Sequence, residues 1–376
     1  MIKPDRTDGS GTADENAELP SHTEPDETAP EILPAEEAQG GFLRSLSGHG
    51  TALKIGLAAS SLALVAGRTV TQGSQDPNAA HPSDPAGERD EVKQVSWDLE
   101  RRPAAENDRV EFFTEFLMGR NYDKTHQWLE RVGKYGPMIQ NELRERGMPE
   151  DLLYLAMIES GLSPQATSTA KAAGMWQFIQ ETGERYGLEV NEYVDERRDP
   201  VEATAAALTY LQKMHNRFGS WYLSAAGYNT GENRVGRLMR EQTGSEKAQS
   251  EDLYWEIWES LPRETRDYVP LMLAMGTIAK EPGKYGFNDL KVQAPLQYEE
   301  VTVPGGTKLS DVAIGAGVSA EEVNDLNPHL IKKMTPPGGS YKVRVPVGRS
   351  DQVIAAISGM TGGDLSRASV DVTAAE

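Results

Sequence analysis

Residues 152–161 read Leu152-Leu153-Tyr154-Leu155-Ala156-Met157-Ile158-Glu159-Ser160-Gly161, and the fold is decided here. Leu152, Leu155, Ala156 and Glu159 fall at i, i+3, i+4 and i+7, so they share one helical face. Leu153, Met157 and Ile158 cover much of the remainder. A helix that is apolar nearly all round is a buried helix. Pro149 suits a first helical position, Glu150 and Asp151 suit the positive end of the dipole, and Gly161 is a natural stop. Glu159 therefore continues a core stripe at the negative end of the dipole. Lost hydration and the dipole both disfavour its ionised form, so its pKa is expected to be raised, as a general acid at neutral pH requires. The competing reading is a glutamate at a frayed helix end, held by an arginine. The helix alone does not decide between them.

The chain has 376 residues, room for two or three units, with 38% hydrophobic residues and a net charge of -20. Mean hydropathy is negative. Residues 1–41 hold eleven Asp or Glu against Lys3 and Arg6, and this segment reads as disordered. Such an acidic chain is a poor partner for nucleic acid or anionic lipid. It has no cysteine, which excludes disulfides, thiol catalysis and cysteine-ligated zinc. The six histidines show no metal-binding spacing, so neither metal nor cofactor is expected.

Ile55–Gly67 is a short apolar run preceded by Arg44 and Lys54. Within 42–67 it reads as an export signal or an uncleaved anchor, giving membrane association through 50–67; a soluble alanine-rich helix is the alternative. It lies far from Met1, behind the acidic segment. Arg68 stands where a lipidated cysteine would follow Leu64-Val65-Ala66-Gly67, so lipid anchoring is not supported. Residues 68–107 read as a polar linker.

From 108 to 290 helical periodicity dominates, and an all-α domain is expected. Two short helices are expected around Val110–Leu117 and Trp128–Val132, then an amphipathic one over Tyr135–Arg146. Further helices are expected at Ala203–Phe218, Tyr222–Ala226, Asn233–Arg240, Tyr254–Leu261 and Tyr268–Lys280. Beyond Pro295, Glu299–Val303 and Tyr341–Pro346 alternate like strands around two short helices, giving a βααβ unit over 297–348. Residues 349–376 read as a flexible tail. The fold class is mainly α with a small βααβ domain and a disordered N-terminus.

Four separate motifs follow one another in order. They are Ile158-Glu159-Ser160-Gly161-Leu162-Ser163-Pro164-Gln165-Ala166 with Ala173-Gly174-Met175-Trp176-Gln177-Phe178; Tyr193–Pro200; Trp221–Glu232; and Glu264–Pro270. Together they resemble the lytic transglycosylases with a soluble-lytic-transglycosylase-type domain. The resemblance covers roughly 108–290. It implies a goose-lysozyme-like helical domain that cleaves the β-1,4 bond between N-acetylmuramic acid and N-acetylglucosamine in peptidoglycan, leaving a 1,6-anhydro ring, in the periplasm or cell envelope. It implies Glu159 as the single catalytic acid/base. Ser160, Met175, Gln177, Tyr228, Asn229 and Tyr268 become candidate substrate-binding residues. A satisfied buried amide is the alternative for Gln177, and packing is the alternative for Met175 and Trp176. Asp195, Arg197 and Arg198 read as a structural ion-pair network. Lys171-Ala172-Ala173 is bulkier than the family's loop, Gln180-Glu181-Thr182 lacks a usual proline, and Thr230 stands where alanine is common.

The C-terminal unit resembles a LysM module through Val303–Ser310, Gly317-Val318-Ser319, Val323–Pro328 and Val343–Pro346. This implies glycan binding, with Gly305, Gly306, Thr307, Asn324, Asn327 and Pro328 flanking the groove; a purely structural appendage is the alternative. Two other readings of the whole chain stay open. A goose-type lysozyme would need a second carboxylate, from Asp195, Glu196 or Glu232, opposite Glu159. A catalytically silent peptidoglycan-binding scaffold would not need Glu159 at all.

Overall fold

The computed structural model describes residues 104–361, all within one compact unit. The segments read as disordered over 1–41 and as signal or anchor over 42–67 lie outside the described residues, as do 68–103 of the linker expected over 68–107 and 362–376; the last four residues of that linker, 104–107, are instead helical.

The first helices are α1 (Ala104–Met118) and α2 (Tyr122–Glu145). The sequence reading broke α2 into two pieces, but it runs unbroken through Pro137. A proline there leaves the carbonyl four residues back without its usual donor. That carbonyl belongs to Gly133, beside which the chain at Val292–Gln293 packs so closely that a Cβ would lie 2.3 Å from the Gln293 carbonyl. Gln293 and Leu296 donate backbone bonds to the Glu130 and Lys134 carbonyls, so this returning segment is stitched along α2.

After Pro149 a 3-10 turn (Glu150–Leu152) leads into α3 (Leu153–Ser160). Every residue of α3 from Leu153 to Glu159 is buried, as its apolar girdle requires. It stops in a Schellman arrangement: Gly161 takes φ 63°, and Leu162 donates back to the Ala156 carbonyl. Any side chain at 161 would collide with the Trp128 indole at 2.0 Å, so glycine is required twice over.

The helices α4 (Gln180–Arg185), α5 (Pro200–Phe218), α6 (Trp221–Thr230), α7 (Glu232–Thr243), α8 (Leu253–Glu256) and α9 (Arg263–Lys280) complete the helical domain. Asp199 and Ser220 cap α5 and α6 with their side-chain oxygens. Residues 222–230 of α6 are all buried, and the helix lies against α5, α7 and α9. In turn α9 packs on α1, α3 and α6. Pro270 interrupts α9 and frees the Arg266 carbonyl. Trp258 Nε1 (2.8 Å) and the Tyr254 hydroxyl (3.1 Å) both donate to that carbonyl, so the helix stays fully bonded one turn before its buried segment.

The C-terminal unit pairs β1 (Glu299–Pro304) antiparallel with β2 (Ser340–Val345), placing Val301 opposite Val343. Between them lie α10 (Leu309–Ala316) and α11 (Ala320–Leu326). The tail expected from 349 instead begins with a further helix, α12 (Ser350–Thr361), lying against α10 and β1. Val353 and Ile357, four apart, enter the core with Val301, Val303 and Val312, so the unit is larger than the βααβ pattern alone. The fold is mainly α with this one small sheet among the described residues.

Candidate active site

Glu159 ends α3 with 4% of its surface exposed. The phenol of Tyr268, from α9, donates to its Oε1 at 2.6 Å. The pairing joins residues 109 positions apart, and the packing of α3 on α9 brings them together. Burial, and then the nearby Glu159 charge, push the Tyr268 phenol well above its ordinary pKa, so it holds its proton and stays a donor. Arg109 of α1 bonds Asp267 (Nε–Oδ1 2.8 Å) and fixes α9 one residue before Tyr268.

The other sequence-chosen residues gather around this pair, but their polar atoms are engaged with the protein. Ser160 Oγ donates to the Met175 carbonyl at 2.8 Å and accepts from Ser163 N–H at 3.1 Å. It therefore ties the end of α3 to the loop over 163–179. Gln177 sits in that loop at φ 50°, a left-handed conformation costing a non-glycine residue on the order of 1 kcal/mol. Its side-chain amide donates to the Gly174 carbonyl at 2.8 Å. Met175 and Trp176 are core residues, and the Trp176 indole donates to Thr204 of α5 at 2.9 Å.

Tyr228 and Asn229, adjacent on α6, reach in different directions. The Tyr228 hydroxyl donates its one proton to the Trp176 carbonyl at 2.7 Å, and Trp176, Phe178 and Tyr210 pack around its ring. Burial and the Glu159 charge raise its pKa too. Asn229 Oδ1 accepts from Thr265 Oγ1 at 2.9 Å, on the first turn of α9. One residue thus holds the loop and its neighbour holds the helix, with Glu159 between. Thr265, Tyr254, Trp258 and Arg109 contribute to this frame and escaped sequence reading. The proline inside a helical pattern was the one visible signal, because a freed carbonyl needs a donor from somewhere.

The three carboxylates weighed as a second catalytic group are all engaged elsewhere. Asp195 takes a bidentate pair from Arg197 (2.8 and 2.9 Å). Glu196 accepts from the Glu189 N–H at 2.7 Å. Glu232 lies 3.2 Å from Lys213. Arg197 also donates to the Lys171 and Phe178 carbonyls, and Arg198 to the Gln165 carbonyl and Thr167, so the Asp195 network fastens the 163–179 loop.

In the C-terminal unit several of the candidate glycan residues make bonds within the fold. Asn327 is buried, and its amide donates to the Val323 and Arg344 carbonyls while accepting the Arg344 N–H. Thr307 Oγ1 donates to the Pro304 carbonyl at 2.7 Å. Gly305 lies so close to Gly338 that a Cβ would meet its carbonyl at 2.4 Å, and Gly306 takes φ 81°. Pro328 is buried, and Asn324 is half-buried.

Comparison with known proteins agrees with this layout. Residues 136–250 match the family described as Transglycosylase SLT domain, and 297–360 match the family described as Lytic transglycosylase MltD, LysM-like domain. The chain is 34% identical over 250 residues to membrane-bound lytic murein transglycosylase D from Escherichia coli (strain K12), covering 66% of this chain and 54% of that protein. The same figures hold for the protein of that name from Escherichia coli O6:H1 (strain CFT073). The chain thus spans about half the length of these curated relatives. Among solved structures, an inactive mutant of the lytic transglycosylase Slt from Pseudomonas aeruginosa aligns with a TM-score of 0.32 and 22% identity, over 41% of this chain and 25% of that one. The chain is thus similar to a transglycosylase SLT domain over 136–250 and to an MltD-type LysM-like domain over 297–360, in the same order along the sequence.

Proposed function

We propose that this chain is a peptidoglycan lytic transglycosylase of the cell envelope, with Glu159 as its single acid/base. The observation that carries the reading is the buried Glu159 carboxyl, which lies in the SLT-matching region 136–250 and is bonded by Tyr268 from the helix that follows it. Peptidoglycan as substrate follows from what the relatives' names say they act on.

The chemistry needs one carboxyl group. Glu159 gives its proton to the glycosidic oxygen as the bond from C1 of N-acetylmuramic acid breaks. The carboxylate then accepts the proton of the sugar's own C6 hydroxyl as that oxygen bonds to C1 and closes the 1,6-anhydro ring. Glu159 ends the cycle protonated, and no water is activated. Burial favours the neutral acid at the start, while the Tyr268 hydrogen bond supports the carboxylate formed midway. Ser160, Met175, Gln177, Tyr228 and Asn229 would form the wall behind the acid, with sugar held against it. The segment over 50–67 would deliver or anchor the protein at the envelope.

A hydrolytic reading would need a second carboxylate opposite Glu159 to activate water; the candidates Asp195, Glu196 and Glu232 are each bonded elsewhere. Mass spectrometry of digested peptidoglycan separates the two. Anhydromuramic ends are expected; reducing muramic ends without them would overturn the reading.

A further inference from the structure

We propose that the LysM-like domain acts as a positioning element for the reaction: through Asp199, His329 and Arg344 it fixes the loop that stands behind Glu159, independently of any hold on glycan.

The two domains are joined by backbone hydrogen bonds and packing at one place. The Val194 side chain belongs to the core of the LysM-like unit, and its backbone bridges to Leu330. Asp195 N–H donates to the His329 carbonyl at 2.9 Å, and Ile331 N–H to the Tyr193 carbonyl at 3.0 Å. Of the stretch 324–328 expected to flank a sugar groove, Asn324 is half-buried and Asp325 exposed, while Leu326, Asn327 and Pro328 are buried together with His329 and Leu330 of this junction. A detachable binding module on a linker would leave them open.

Beside this backbone seam lies a buried charged group of three. Arg344 Nη1 reaches the two Asp199 oxygens at 3.0 and 2.8 Å, and His329 Nδ1 lies 2.9 Å from Oδ2. Their side chains are 8%, 3% and 7% exposed for Arg344, Asp199 and His329. The Arg344 guanidinium also stacks on the Tyr298 ring at 4.7 Å. Burying such charges is costly, and it is tolerated where it enforces one geometry over others. Asp199 simultaneously caps α5, so the same carboxylate serves both domains.

The connection continues inward from Asp195 to Ser160. Asp195, held by His329, receives the bidentate Arg197, whose third contact set is the Lys171 and Phe178 carbonyls. Gly174 lies against the Arg197 carbonyl, where a Cβ would approach to 1.6 Å. Gly174 accepts the Gln177 amide, and Met175 accepts Ser160, next to the acid. The loop's strained Gln177 conformation is therefore held from the LysM-like side as well as from α3.

The test uses full-length Arg344→Met, which keeps length while removing the guanidinium, and Asp199→Asn, which keeps the helix cap. Its kinetic arm rests on the transglycosylase reading; its exchange arm does not. On a soluble peptidoglycan tetrasaccharide, Arg344→Met should lower kcat about tenfold with KM changed less than about twofold, the pattern of a misplaced reacting group. Amides of 163–179 should exchange faster with deuterium in both variants, while those of α9 keep their wild-type protection. Unchanged kcat on the tetrasaccharide, with loss confined to KM for long strands, would overturn the proposal in favour of simple glycan capture. Unchanged exchange in the loop in both variants would overturn it too. If the wild type releases no anhydro product, the function reading fails while the exchange arm still decides the positioning claim.

Discussion

The SLT-matching region and the LysM-like region each bury a polar side chain chosen from sequence, and the two differ in what they bond. Asn327 spends both amide protons and one of its two acceptor positions on backbone groups of the fold. Glu159 sits equally deep, yet its neighbour Tyr268 meets it with a side-chain proton from another helix. Depth does not separate a structural polar group from a chemical one. What separates them is where the hydrogen bonds go, since a buried polar group must be satisfied and only its partners reveal the reason.

The comparison breaks first at its catalytic half. Glu159→Gln should lower anhydromuropeptide release by about a thousandfold or more, in the range of a lost acid/base, with peptidoglycan pull-down unchanged. Retained turnover would put Glu159 on the same footing as Asn327. The structural half is tested next. Asn327→Ala strands buried backbone groups of Val323 and Arg344, and urea unfolding should show a loss of about 3 kcal/mol. A neutral result would return Asn327 to the list of ligand-facing residues.

Asp199 sharpens the contrast through pH. Burial opposes its ionisation, but His329 and Arg344 outweigh that and hold its pKa well below the usual carboxylate range. The stability this contributes is complete above the unfolded value of about 3.9, and it is lost as pH falls from there towards the native value. Acid unfolding should therefore steepen below about pH 4, and Asp199→Asn should remove about 2 kcal/mol of that slope. The smallest effect expected is at Tyr268. Tyr268→Phe removes a bond that favours the Glu159 carboxylate, so the alkaline limb of the rate profile should move to higher pH while the rate falls about tenfold, equivalent to about 1.4 kcal/mol.

Much of this was legible before any coordinates. Periodicity placed α3 and its glycine stop, because an apolar girdle and a C-terminal glycine are local signals. The strands around Val301 and Val343 were visible by alternation. The order of four motifs carried the resemblance that the SLT match over 136–250 agrees with. What stayed hidden was long-range or compensatory. A proline at 137 reads as a break unless one knows that the chain near Gln293 returns to pack there. The helix over 350–361 has a weak local pattern and owes its place to Val353 and Ile357 entering a core built elsewhere. Tyr268 was picked out as a candidate site residue, yet its bond to Glu159 and the division of labour between Tyr228 and Asn229 depend on which group each meets across the fold.

The proline in α9 has a practical consequence. Because the Arg266 carbonyl it liberates is taken up by the Trp258 indole, a natural fluorophore is wired to the turn that delivers Tyr268. Movement of that turn on ligand binding should alter the indole's hydrogen bond and hence its emission. The difference spectrum between wild type and Trp258→Phe would then follow occupancy of the cleft in real time, without a label and without turnover.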